Sequence, residues 1–159
     1  MTTLFVLLLA LAAEQTPMPA SIISKEDHEA VLKKQIADKV VDQPIKATDI
    51  LGGRTAVAML HRAKPETSAL IHDYVTETYY ILSGSGTFVT GGRLGDARET
   101  DLTRVNAGLS HTGTRIGGDA THVKPGDIII VPAGTPHSFS ELNGPISYLV
   151  YRFEPTVKK

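Results

Sequence analysis

The chain has 159 residues, 42% of them apolar, and a formal net charge of −1. This is enough for one domain with its own hydrophobic core, and so neutral a balance lacks the basic footprint of a nucleic-acid binder. No cysteine is present, which excludes disulfides and thiolate metal sites, so any metal must be held by histidine and carboxylate.

The first element is an apolar run from Leu4 to Ala13. It is too short for a helix to cross a hydrocarbon core of about 30 Å. Ala10-Leu11-Ala12 has the A-x-A form of a signal-peptidase site, and the polar stretch EQTPMP follows at once. The n-region carries no Lys or Arg; the alternative, an ordinary buried segment, has no amphipathic pattern behind it. The expectation is a signal peptide over residues 1–13, and a mature chain that begins near Ala13 or Glu14. That chain is expected to be periplasmic or secreted, with no stable membrane anchor after processing.

Residues 14–49 read as a linker and a helical arm. Pro17 and Pro19 mark the linker, and SKEDHEAVLKKQIADKVV the helix, with Ser24 as N-cap and Asp27 three residues on. Leu32, Ile36 and Val40 form a narrow apolar stripe, and Pro44 is expected to close the segment. Such a stripe must lie against something, either the chain's own domain or a neighbouring copy; a homodimer is expected, since sheet edges and outer faces also need cover.

From about Ile50 to residue 155 the texture is all-β: short runs rich in Val, Ile, Thr and Tyr between Gly and Pro clusters. Strands are expected near Thr55–His61, Ser68–Tyr74, Thr78–Leu82, Gly86–Thr90, Thr121–Val123, Ile128–Val131, His137–Glu141 and Ile146–Phe153. The run Ile128–Val131 reads as buried. Gly91 to Gly118 is polar and glycine-rich, a long connection of the kind that forms lids and binding loops. So many short strands require two packed sheets or a closed barrel, whose mouth is a natural ligand site.

Two segments carry candidate chemistry. In ALIHDYVTETYYILSGSG, alternation puts Leu70, His72 and Tyr74 on one face and Glu77, Tyr79 and Ile81 on another. In VKPGDIIIVPAGTPHSFSE, Pro132, Gly134 and Pro136 stop one strand and His137 begins the next. If these faces line one interior, His72, Glu77 and His137 converge. Two imidazoles and a carboxylate leave open positions on a divalent transition metal, which suits Fe, Mn, Ni or Zn. Taken singly, a histidine is more often a hydrogen-bonded core or surface residue, and a glutamate a solvated strand end. Glu141 has the parity of His137, so it faces either the cavity, as an acid–base group, or the surface. Tyr79 either orients a substrate or fills the barrel. His61, His111 and His122 lie outside both segments.

These segments resemble the paired motifs of the cupin superfamily. The second, G-x5-P-x-G-x2-H-x3-N, is matched at Gly126, Pro132, Gly134 and His137, with Glu141 in place of Asn. The first, G-x5-H-x-H-x(3,4)-E-x6-G, is matched at His72, Glu77 and Gly84; its leading glycine falls on Lys64 and its first histidine on Leu70. The resemblance implies a cupin or jelly-roll barrel, a double-stranded β-helix, over residues 50–155. It also implies one divalent metal held by His72, Glu77 and His137, with Leu70 unable to supply the usual fourth ligand.

Two functions follow as expectations. One is an exported metal-dependent enzyme acting on a small oxygen-rich molecule as a dioxygenase, isomerase, lyase or cyclase, with Glu141 or Tyr79 moving a proton. The other is a non-catalytic module that binds a small metabolite or sugar in the same barrel. The missing first histidine favours the second somewhat.

Overall fold

A computed structural model describes residues 18–156, so the export segment read over residues 1–13 lies outside the described residues. Helix α1 (Lys25–Asp38) is followed by eleven strands: β1 (Asp42–Ile50), β2 (Gly53–Arg62), β3 (Ala69–His72), β4 (Thr76–Ser83), β5 (Gly86–Thr90), β6 (Arg93–Asp101), β7 (Leu109–Ile116), β8 (Asp119–Val123), β9 (Ile128–Val131), β10 (His137–Leu142) and β11 (Ile146–Pro155). A single 3-10 turn, η1 (Thr103–Val105), joins β6 to β7. The strands form a five-stranded sheet ordered β1-β2-β11-β4-β9 and a six-stranded sheet ordered β6-β7-β3-β10-β5-β8, with every pairing antiparallel. The fold is all-β with one helical arm, as expected.

The core lies between the sheets. Ala58, Leu60, Tyr79, Ile81, Phe88, Val123, Val131, Phe139, Ile146, Tyr148 and Val150 meet there. Alternation explains which residues they are: Ile146, Tyr148 and Val150 take every second position of β11, and Tyr79 and Ile81 do the same on β4. Tyr79, Phe88, Phe139 and Tyr148 form a chain of rings with centroids 4.9–5.7 Å apart, a packed floor beneath the polar end of the interior.

The arm starts as the residues dictate. Ser24 Oγ accepts from the Asp27 amide while the Asp27 carboxylate accepts from the Ser24 amide, each at 3.0 Å, a reciprocal capping box. The helix ends at Lys39, in the left-handed region at φ 56°, five residues before Pro44. Pro44 instead sits in β1, where the register shifts between Pro44 and Lys46. An edge strand tolerates a missing donor, so the barrel begins within the stretch read as arm.

The apolar stripe is corrected too. Gln35 is the buried residue of α1, donating to the Met59 and Val41 carbonyls at 3.0 and 2.7 Å, while Ile36 and Val40 are exposed. A polar side chain that donates to a β2 carbonyl and to the carbonyl just before β1 docks the arm on its own barrel.

Two further expectations change. Gly91–Gly118 contains β6 and β7, a ribbon that pairs with itself and then with β3, so it is sheet and not an irregular loop. Ile128 and Ile130 of β9 are exposed because alternation places them on the outer face of the five-stranded sheet; the four-residue apolar run is half outside.

Candidate metal centre

The turn between β9 and β10 is held on three sides. The Gly134 amide donates to the His72 carbonyl at 2.8 Å, the Thr135 amide to the Pro132 carbonyl at 3.2 Å, and the Gly91 amide to the Pro136 carbonyl at 2.9 Å. Gly134 adopts φ +78°, which costs a glycine nothing and a side-chain-bearing residue about 1–2 kcal/mol. The tight reversal starts β10 with the His137 side chain turned into the interior.

Three strands bring His72, Glu77 and His137 together, 3%, 1% and 4% exposed. His72 Nε2 lies 3.3 Å and His137 Nε2 3.5 Å from the same oxygen, Glu77 Oε2. The other ring nitrogens are committed elsewhere. His137 Nδ1 lies 3.0 Å from the Thr135 carbonyl, an acceptor only, so Nδ1 carries the hydrogen. Ser110 Oγ donates to the Ala107 and Gly108 carbonyls and therefore accepts from His72 Nδ1 at 2.8 Å. In both rings the Nε2 lone pair faces the carboxylate.

Two imidazole lone pairs and a carboxylate oxygen pointed at each other repel unless a cation sits among them. Burial holds His137 below its ordinary value, outweighing the attraction of Glu77, so the ring stays neutral. Burial opposes the charge of Glu77, but the Arg152 guanidinium beside it prevails and keeps the carboxyl well below the usual carboxylate range. Ligand atoms about 2.0–2.2 Å from a first-row metal stand about 3.0–3.5 Å apart at neighbouring positions, which matches the two separations here. All three ligand atoms lie within 4.8 Å of one another, and no second cluster of this kind occurs among the described residues. The residues fit a divalent transition metal.

Leu70 faces His137 across the β3–β10 pair, so the position of the family's first histidine adjoins the centre but offers it no donor. Tyr79 also reaches the centre: its hydroxyl donates to Glu77 Oε2 at 2.6 Å, and burial together with the Glu77 charge holds the phenol well above its usual value. Glu141 does not reach it. A bulge between Phe139 and Glu141 breaks the alternation, leaving Glu141 exposed and accepting from Thr87 at 3.1 Å. Of its two sequence readings, the surface one holds. His61 bonds Ser147, His111 bonds Asp73, and His122 is exposed, all apart from the cluster.

Sequence reasoning missed two residues that build the centre. Ser110 is the cross-strand partner of His72, and Arg152 the cross-strand partner of Glu77. Arg152 Nε donates to Glu77 Oε1 at 2.8 Å, and its other nitrogens meet Asp42 of β1 and the Val105 carbonyl of η1. A signal for Arg152 was present: it continues the inward parity of Tyr148 and Val150, where an unpaired charge is costly.

No family model matches the sequence, and no curated protein matches it. Solved structures do match the fold. A Bacillus halodurans protein (BH2720) is 15% identical, with a TM-score of 0.52 over 89% of this chain and 85% of that one. A Neisseria meningitidis protein (NMB1881) is 14% identical, with a TM-score of 0.47 over 84% of this chain and 100% of that one. A cupin superfamily protein from Desulfitobacterium hafniense is 16% identical, with a TM-score of 0.43 over 72% of this chain and 76% of that one. The likeness to the Bacillus halodurans protein, at 15% identity, speaks for the fold alone. With its two antiparallel sheets, and the motif residues of both segments meeting inside, the chain has the double-stranded β-helix fold of the cupin superfamily.

Proposed function

We propose that the chain is a metal-binding cupin that is exported and acts as an enzyme on a small, oxygen-rich molecule. The observation that carries this reading is the convergence of His72 Nε2, His137 Nε2 and Glu77 Oε2, each offering a lone pair and none a hydrogen. Fe, Mn, Ni and Zn all suit such a set. A bound metal of this class supplies Lewis-acid polarisation of a substrate oxygen or, if iron, access to dioxygen chemistry. The chain's own residues set the rest. Ser110 and the Thr135 carbonyl fix the imidazole tautomers, Tyr79 gives Glu77 Oε2 a hydrogen bond, and the aromatic floor excludes water.

One observation favours the alternative, a module that binds a small metabolite or sugar without turnover: Leu70 faces His137 where the family's first histidine would stand, so the centre lacks one of the usual ligands. Turnover separates the two. The metal-loaded chain and a chelator-treated control are offered diketones, hydroxy acids and sugars. Consumption that stops on chelation and returns with metal supports the enzyme; binding without consumption across the panel transfers the reading to the module.

Export rests on the Leu4–Ala13 run and the A-x-A site that ends near it. Mass spectrometry of protein recovered outside the cytoplasm reads an N-terminus near Ala13 or Glu14 if this holds; an intact Met1 on a retained chain contradicts it.

A further inference from the structure

Glu77 has two carboxylate oxygens, and only one faces the imidazoles. Oε2 looks toward His72 and His137, while Oε1 accepts from Arg152 Nε at 2.8 Å. Arg152 cannot turn away. Its terminal nitrogens donate to Asp42 Oδ2 at 2.6 Å, to Asp42 Oδ1 at 3.3 Å and to the Val105 carbonyl at 2.5 Å, and the residue is 3% exposed. The planar guanidinium therefore bridges two carboxylates in fixed geometry, which a lysine ammonium does not reproduce.

We propose that Arg152 is a positioning residue of the metal centre: by occupying Glu77 Oε1 it restricts Glu77 to one-oxygen ligation through Oε2. Asp42 and the Val105 carbonyl in turn hold Arg152 in register. The inference rests on the metal-binding reading given above. One-oxygen ligation suits a compact first-row ion, whereas calcium prefers more oxygens at longer distances and commonly takes both from one carboxylate. Arg152 is thereby a selectivity device as well as an anchor. It also ties the centre to β1 and η1, elements outside both sequence motifs.

The test uses the full chain, chelator-treated and titrated with Co(II), with Zn(II) in competition. The readouts are affinity and the Co(II) d–d absorption, which reports ligand number and geometry. Wild type is expected to bind one equivalent. Arg152→Gln is expected to bind about 10–100-fold more weakly, the usual effect of removing a partner that orients a ligand, with altered bands because Oε1 is released. Arg152→Lys is expected to recover part of the affinity. A folded Arg152→Gln chain with wild-type affinity and bands overturns the proposal. Should that variant fail to fold, Asp42→Asn decides, since it weakens the outer clamp and leaves Arg152 and Glu77 in place. Weaker binding with shifted bands supports the proposal; wild-type values overturn it. Failure of the wild-type chain to bind either ion defeats the metal reading itself, a distinct result because it needs no variant.

Discussion

Tyr79 shows how a single hydroxyl bears on the centre. Its 2.6 Å bond to Glu77 Oε2 is buried and made to a charged acceptor, a class worth about 1.5–3 kcal/mol. Tyr79→Phe is expected to destabilise the chain by that amount in urea unfolding while leaving the ring contacts with Phe88 and Tyr148 intact. Loss of metal without loss of stability would contradict a supporting role. A pH dependence follows for the chelator-treated chain. His137 is held below its ordinary value of 6.5 by burial. The unfolded chain therefore takes up a proton near that pH while the native chain resists it. By linkage, the stability His137 contributes is fully present above that pH and is lost as pH falls. Glu77, also depressed, adds loss of the same sign in the carboxylate range, against which Glu66, raised by burial, works in the opposite direction. The His137 part is readable above that range: the urea midpoint is expected to fall between about pH 7.5 and about pH 5.5, and to fall less in His137→Ala. Equal slopes would remove His137 as the cause. The cluster of His72, Glu77 and His137 was legible because motif spacing and strand parity both point to it. Glu141 was not, since parity counting cannot see the bulge before it. Arg152 was hidden because one residue's inward parity does not name its partner, and Asp42 lies 110 positions away.

Among the elements, most strands that bury a face were read from sequence: β5 and β9 have the expected limits, and β2, β4, β10 and β11 differ by a few residues, as does β8, which buries only Val123. β6 was not legible. Its residues RLGDARETD are almost all exposed or half-exposed, because an edge ribbon satisfies its backbone by pairing with β7 and needs no apolar face. β1 was masked by Pro44, which reads as a helix stop and here occupies an edge strand. The ribbon gives a prediction of its own. Gly92 has φ +72°, and a Cβ there would press on the Ile116 carbonyl oxygen across the pair. Gly92→Ala is expected to cost about 1–3 kcal/mol, read as a lower urea midpoint with the slope unchanged. A neutral result would mean that the ribbon shifts freely at this point.

For the whole molecule, the five-stranded sheet presents an outer face that the arm does not cover. Tyr151 and Ile130 flank Thr78, Tyr80 pairs with Ile128, and Phe153 pairs with Thr76; all but the threonines are exposed large apolar residues. We propose that the homodimer expected from the sequence places this face against that of a second copy, since a contiguous apolar sheet surface is characteristic of an interface. Sedimentation of the processed chain at micromolar concentration is expected to give a dimer, and Ile130→Lys a monomer with an unchanged β spectrum. A monomeric wild type would end the dimer proposal without touching the centre.

The central claim is that His72, Glu77 and His137 together hold one divalent transition metal. Elemental analysis of the purified wild-type chain beside His137→Ala tests it most directly. About one equivalent of a first-row metal is expected per wild-type chain, with most of it lost in the variant while the β spectrum is retained. Equal metal in both chains, or none in wild type even after incubation with Fe(II), Mn(II), Ni(II) and Zn(II), would contradict it.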